Sequence, residues 1–118
     1  MKITVQHSER NRETGDVIGF TNVAAVDASR FDNIDQALEY AYRFTNNVMG
    51  SWSIKKEFLP TRDGGEMANG DFNADVTVLR QRSDGMGQRS TMMGDRMIVE
   101  IGDCPSVYQV AGFGFQKV

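Results

Sequence analysis

Asn33-Ile34-Asp35-Gln36-Ala37-Leu38-Glu39-Tyr40-Ala41-Tyr42-Arg43-Phe44 is the stretch that decides the fold. Ile34, Ala37, Leu38, Ala41, Phe44 and Val48 recur at spacings of three and four, which gives an α-helix one apolar stripe. Asp35, Glu39 and Arg43 take the other side, with Glu39 and Arg43 one turn apart. Asn33 is placed to cap the free amides, and Gln36, three residues on, to reach back as in a capping box. Asn46-Asn47 weaken the helix and Gly50 terminates it, after which Ser51-Trp52-Ser53 reads as a structural corner with Trp52 in the core. A single amphipathic helix must bury its stripe against something, and the rest of the chain offers strands.

Ile3 and Val5 alternate with polar neighbours ahead of a polar stretch, Ser8 to Asp16, that reads as a long hairpin loop. Val17-Ile18-Gly19-Phe20 and Val23-Ala24-Ala25-Val26 supply the returning strand, with Gly19 marking a bulge. Pro60 to Asn73 is dense in turn residues and is expected to be a mobile surface loop. Asp75 to Leu79, Met97 to Ile101 and Val107 to Phe115 read as further strands, separated by a Gly/Ser/Met/Arg loop and the turn Gly102-Asp103. Tyr108, Val110 and Phe113 are expected to pack against the helix. The architecture is therefore α+β, about five or six mostly antiparallel strands with one principal amphipathic helix, in a single domain spanning 1–118.

The 118 residues carry 13 basic and 16 acidic side chains, a net charge of −3. That balance excludes a polybasic DNA-packaging protein and an acidic surface imitating DNA along its whole length. One cysteine, Cys104, forms no internal disulfide and is expected as a partly buried small side chain. The amino terminus does not read as a signal peptide, and no run approaches the roughly 18 apolar residues of a membrane span, so a cytoplasmic setting without membrane contact is expected.

Catalytic patterns are thin. His7 is the one histidine, with no nucleophile in an activating context, and is expected to face solvent from its strand. Asp71-x-Asn73-x-Asp75 opens like a calcium loop, but Val76 and Arg82 stand where that loop needs glycine and glutamate. Gly85-x-Gly87 and Gly112-x-Gly114 are too short for a dinucleotide fingerprint. No enzyme activity, metal or cofactor is expected.

The informative set is cationic: Arg80, Arg82, Arg89 and Arg96 surround a flexible loop, with Ser90 and Thr91 as hydroxyl donors, suited to phosphate or an acidic protein surface. Met92 and Met93 add adaptable apolar contact, and Tyr42 a second edge. Arg89 either anchors its turn on Asp95 or meets a partner.

Taken in order, Glu39 to Asn47, Ser51-Trp52-Ser53, Asp75 to Leu79, Arg89-Ser90-Thr91-x-x-Gly94-Asp95 and Tyr108-x-Val110-x-Gly112-Phe113 resemble a family of short phage-encoded proteins. The Arg-Ser-Thr-x-x-Gly-Asp step, with the Tyr-x-Val and Gly-Phe that follow, is also loosely similar to YodL-like domains of mobile elements. The resemblance implies a bacteriophage accessory protein and carries no catalytic residues. By analogy with small phage proteins it points to a binder that inhibits a host defence or nucleic-acid-processing complex, as anti-CRISPR proteins do. A host protein or ribonucleoprotein complex is the expected partner, with nucleic-acid phosphate contacts in reserve. A direct single-stranded nucleic-acid binder and a virion or assembly component are the alternatives.

Overall fold

The computed structural model describes residues 1–118. Two long strands, β1 (Lys2–Arg10) and β2 (Val17–Asp27), precede helix α1 (Ile34–Arg43). Short strands β3 (Phe58–Pro60), β4 (Glu66–Ala68) and β5 (Val76–Val78) follow, then β6 (Arg96–Ile101), β7 (Cys104–Val110) and β8 (Phe115–Lys117). Six of the strands form one antiparallel sheet in the order β5-β2-β1-β6-β7-β8, and β3 pairs with β4 apart from it. The fold is α+β and dominated by sheet. No helix is long and apolar enough to cross a membrane.

Strand alternation sets one face of the sheet. Ile3, Val5, Met97 and Val99 project from β1 and β6 into the core, where they meet Ala37, Leu38 and Ala41 of the helix and the fully buried Trp52. β1 and β2 stay in register except at two irregularities, where Val23 and Ile18 are the extra residues. The second lies beside Gly19 rather than on it. The first lets both Val23 and Ala24 be buried opposite Val5, which strict alternation would forbid.

The helix begins as its sequence requires, with Asn33 Oδ1 accepting the Gln36 N–H at 3.1 Å. It ends earlier than its apolar spacing suggests. Thr45 Oγ1 donates to the Ala41 carbonyl at 2.8 Å and the Asn46 amide donates to that of Tyr42, so side chains take the place of the next backbone amides. Val48 consequently lies outside the helix and is exposed.

The turn-rich stretch between Pro60 and Asn73 is not a free loop. β3 and β4 close a hairpin around Thr61 to Gly65, and the residues after it run into the interior, where Asn69 and Asp71 are buried. Asn69 Nδ2 donates to the carbonyls of Ser51, Ile54 and Lys56 at 2.9, 3.1 and 3.0 Å, and its Oδ1 accepts the Ser51 and Asp71 amides. One side chain thus supplies the partners that an irregular segment, Ser51 to Lys56, lacks in its own backbone. Asp71 accepts the Val48 and Met49 amides and the Arg43 guanidinium. Gly50 is required where the two segments touch, because a Cβ there would stand 2.2 Å from Asn69 Oδ1. The Asp-x-Asn-x-Asp spacing therefore serves hydrogen bonding.

Three further expectations are corrected. His7 faces the core and is 4 % exposed, because it shares the face of Ile3 and Val5. Cys104 is exposed on β7 opposite Ile101. Phe113 is 99 % exposed at the β7–β8 turn, and Phe115 is the aromatic that reaches the helix, edge-on to Tyr42 at 6.1 Å.

Asn69→Ala should destabilise the protein by about 2–3 kcal/mol, since it leaves several buried backbone groups without partners. Urea unfolding monitored by Trp52 fluorescence measures this.

Candidate functional site

Beyond Gln6 the β1–β6 ladder stops, and two side chains complete it. Asp95 Oδ1 accepts the Ser8 N–H at 2.8 Å, and Arg89 Nη2 donates to the Ser8 carbonyl at 3.3 Å. Arg89 and Asp95 are themselves joined by two bonds, Nη1 to Oδ2 at 2.7 Å and Nη2 to Oδ1 at 2.9 Å. The pair occupies the place of a neighbouring strand residue. Asp95 also accepts the Met92 N–H at 2.8 Å and is fully buried. Burial opposes its charge, but the bonds from Arg89, Ser8 and Met92 outweigh that and hold its carboxyl below the ordinary range. Arg89 therefore anchors its turn.

The segment 87–91 is strapped across the core edge by further bonds. The Trp52 indole N–H donates to the Arg89 carbonyl at 2.9 Å, the Asn47 side-chain amide to that of Gln88 at 3.0 Å, and the Gln88 N–H to Ser53 Oγ at 2.6 Å. Gly87 is needed for this approach, as a Cβ would lie 2.4 Å from Ser51 Oγ. The Ser51-Trp52-Ser53 corner and the Arg89 to Asp95 turn, distant in sequence, are parts of one junction.

His7 and Thr91 are 3.0 Å apart, the spacing of a base and a nucleophile. The direction of the hydrogen bonds excludes that pairing. Thr45 spends its hydroxyl proton on the Ala41 carbonyl, and Thr91 spends its own on Thr45 Oγ1 at 2.8 Å, so His7 Nε2 carries the proton and donates to Thr91. A base whose facing nitrogen is already protonated cannot take the Thr91 proton, and Thr91 is buried. Burial first, and then the Arg89 guanidinium, lower the His7 pKa to about 4, with Asp95 and Glu9 acting in the other direction.

Outside this junction lies an open polar cleft of about 690 Å³. Ser8, Glu9 and Arg12 form one wall, Arg80 to Asp84 the other, and Gln88 and Arg89 the floor beside His7 and Val23. Arg80 Nη1 reaches Thr21 Oγ1 at 3.4 Å, and Arg82 pairs with Asp84 at 2.6 Å. Arg12 extends exposed from the turn after β1.

Of the expected contact residues, Arg80, Arg82 and Arg89 converge on this cleft. Arg96 does not: it precedes the core-facing Met97, so it projects from the opposite face of the sheet, its guanidinium 4.4 Å from the Phe20 ring centre. Tyr42 lines a second hollow of about 230 Å³ with Glu39, Gly112 and Phe115. Met93 is exposed and approaches Gly112 from the turn before Asp95, and Met92 is exposed beside it. The aromatic and methionine group is therefore separate from the arginine cleft. Sequence reading missed Arg12 and Glu9, which sit in a polar stretch with no local distinction and reach the cleft through the β1–β2 pairing.

Two outcomes are expected. His7 binds a proton more weakly in the folded chain than in the unfolded one, so its contribution to stability falls as pH drops from about 6.5 to about 4 and then levels off. The loss should be on the order of 2 kcal/mol after allowance for solvent screening, and His7→Gln should flatten the urea-midpoint profile in that window. Arg89→Ala should cost about 3–5 kcal/mol by stranding the buried Asp95 carboxylate, whereas Arg80→Ala should change the melting temperature little. Neither a protein-family model, nor a curated protein, nor a solved structure matches the chain.

Proposed function

We propose that the protein is a non-enzymatic binder that takes an anionic surface of a partner into the arginine cleft. The observation that carries this reading is the gathering of Arg12, Arg80 and Arg82 around one open polar hollow, where Glu9 and the Asp84 paired with Arg82 offset part of that charge. Guanidinium groups in such a hollow suit carboxylate or phosphate recognition. Arg89 supports the floor rather than reaching out, because both its terminal nitrogens are committed to Asp95.

The phage resemblance supplies the setting: an accessory protein that occupies and inhibits a host defence or nucleic-acid-processing complex, in the manner of an anti-CRISPR protein. Direct single-strand binding is disfavoured by the position of the aromatic side chains. Trp52 is fully buried, Tyr42 packs on Phe115 away from the arginines, and the one ring that lines the cleft, His7, is buried, so no exposed ring offers bases a stacking face there.

Affinity capture from a bacterial lysate, with and without nuclease, tests the reading. One defined complex should survive nuclease, and the triple variant Arg12→Ser, Arg80→Ser, Arg82→Ser should lose it at least tenfold while melting as the parent does. Retention by the triple variant would remove the cleft from the interface, and disappearance of every partner on nuclease treatment would transfer the assignment to nucleic acid.

A further inference from the structure

The proton order that keeps His7 from acting on Thr91 leaves the other ring nitrogen unused. Nε2 carries the proton and donates it to Thr91, so Nδ1 holds a free lone pair, and the Thr91 bond is the one hydrogen bond the ring makes. The enclosed side-chain polar atoms that lack a partner are Ser51 Oγ and Arg96 Nε. Nδ1 is not one of them, so it keeps contact with solvent, and the open space that His7 lines is the arginine cleft. A ring that is otherwise buried thus turns its one basic atom toward a hollow walled by cations.

The strand pairing brings one of those cations near. Thr21 stands opposite His7 across β1 and β2, and Arg80 Nη1 reaches Thr21 Oγ1 at 3.4 Å. An anion held by Arg80 and Arg12 brings oxygen lone pairs toward a nitrogen lone pair. The two repel unless a proton lies between them, whereas a protonated Nδ1 adds a charge-assisted bond. Burial and the Arg89 guanidinium oppose that second proton in the empty cleft, while Asp95, its Oδ2 3.9 Å from Nε2, and Glu9 favour it. Trp52 meets the ring edge-on without charge, and across the cleft Asp84 is paired with Arg82. An anion cancels the opposition of the arginines and so tips this balance.

We propose that the cleft takes up its anion together with a proton: as a phosphate, sulfate or carboxylate group settles at Arg12 and Arg80, His7 Nδ1 binds one proton from solvent and donates it to an oxygen of that group. The inference rests on the cleft being an anion site and makes that site responsive to pH. Because the bound anion raises the proton affinity of the ring, anion affinity rises as pH falls from the titration point of the occupied protein toward that of the empty one, and levels off below it.

Sulfate is the probe, because it stays a dianion throughout this range and brings no proton of its own. His7 is the one histidine in the chain, so an untagged, nitrogen-15-labelled sample gives one pair of ring signals. In chloride Nδ1 should be the unprotonated nitrogen and the ring should titrate at about 4. In sulfate at equal ionic strength it should titrate at least one unit higher, which by linkage is a tenfold gain in sulfate affinity on acidification. Arg12→Ser combined with Arg80→Ser should lose both the binding and the shift. In His7→Gln, whose amide can still donate to Thr91, sulfate affinity read from the backbone amide signals of residues 80–84 should be equal at about pH 5 and about pH 7. A proton on Nδ1 in chloride at neutral pH overturns the proposal, as does a ring whose titration sulfate leaves unmoved while sulfate still binds the arginines. Either result leaves the cleft standing as an anion site. A pH dependence that survives in His7→Gln belongs to Glu9 and Asp84 and also overturns the proposal. Absence of sulfate binding at every pH overturns the anion site itself and this inference with it.

Discussion

The carboxylate of Asp95 is the interaction on which the rest of this molecule depends. It is buried, it stays charged, and it receives the backbone of Ser8, the backbone of Met92 and both terminal nitrogens of Arg89. A buried charge is tolerated only when its lone pairs are filled, and here the donors come from the end of β1 and from the turn between Arg89 and Asp95. Removing the carboxylate would free the end of β1, the turn before β6 and the strap over Trp52 together. The Arg89–Asp95 pair acts as a short length of strand, ending a ladder that would otherwise leave an open edge toward the helix.

A second carboxylate repeats the device at the other end of the core. Asp71 collects Val48, Met49 and Arg43, and Asn69 beside it satisfies the carbonyls of the corner around Trp52. Long stretches without regular structure are thereby made as determinate as strands. The backbone polar groups of a segment crossing the interior must find partners, and where no strand lies alongside, amide and carboxylate side chains are the remaining source. The small hydrophobic core, 14 buried residues, depends on these polar junctions to hold Trp52 over the helix.

The same economy separates the two surfaces. Arg89 is consumed by the fold and Arg82 is paired with Asp84, which leaves Arg12 and Arg80 as cleft cations without a carboxylate partner, while Arg96 stacks on Phe20 across the sheet. His7 and Thr91 show how proximity alone misleads. Their distance suits catalysis, but the proton order along His7, Thr91, Thr45 and the Ala41 carbonyl makes the array a structural relay in which no free base faces Thr91. Arginine thus serves different ends across this fold, distinguished by what each guanidinium faces.

The helix start, the α+β class, the burial of Trp52 and the antiparallel pairing of the first two strands were legible in the sequence because they rest on local chemistry: a cap residue, a 3.6-residue stripe, alternation, and glycine at turns. The helix end was not, because Thr45 and Asn46 stop it by side-chain bonds that an apolar spacing does not reveal. Nor was the burial of His7, Asn69 and Asp71, polar residues whose interior positions depend on partners 13 to 84 residues away. Of the four arginines that the loop's composition singled out, three meet at the cleft and one faces the other side of the sheet, a division made by strand parity. Arg12 joins them through the β1–β2 hairpin. Local sequence determined the helix and the longer strands, but not the β3–β4 hairpin or the break between β7 and β8. Only the tertiary structure decided which charges are spent holding them together and which remain exposed at the cleft, since that depends on long-range pairing and on the depth at which each charge is buried.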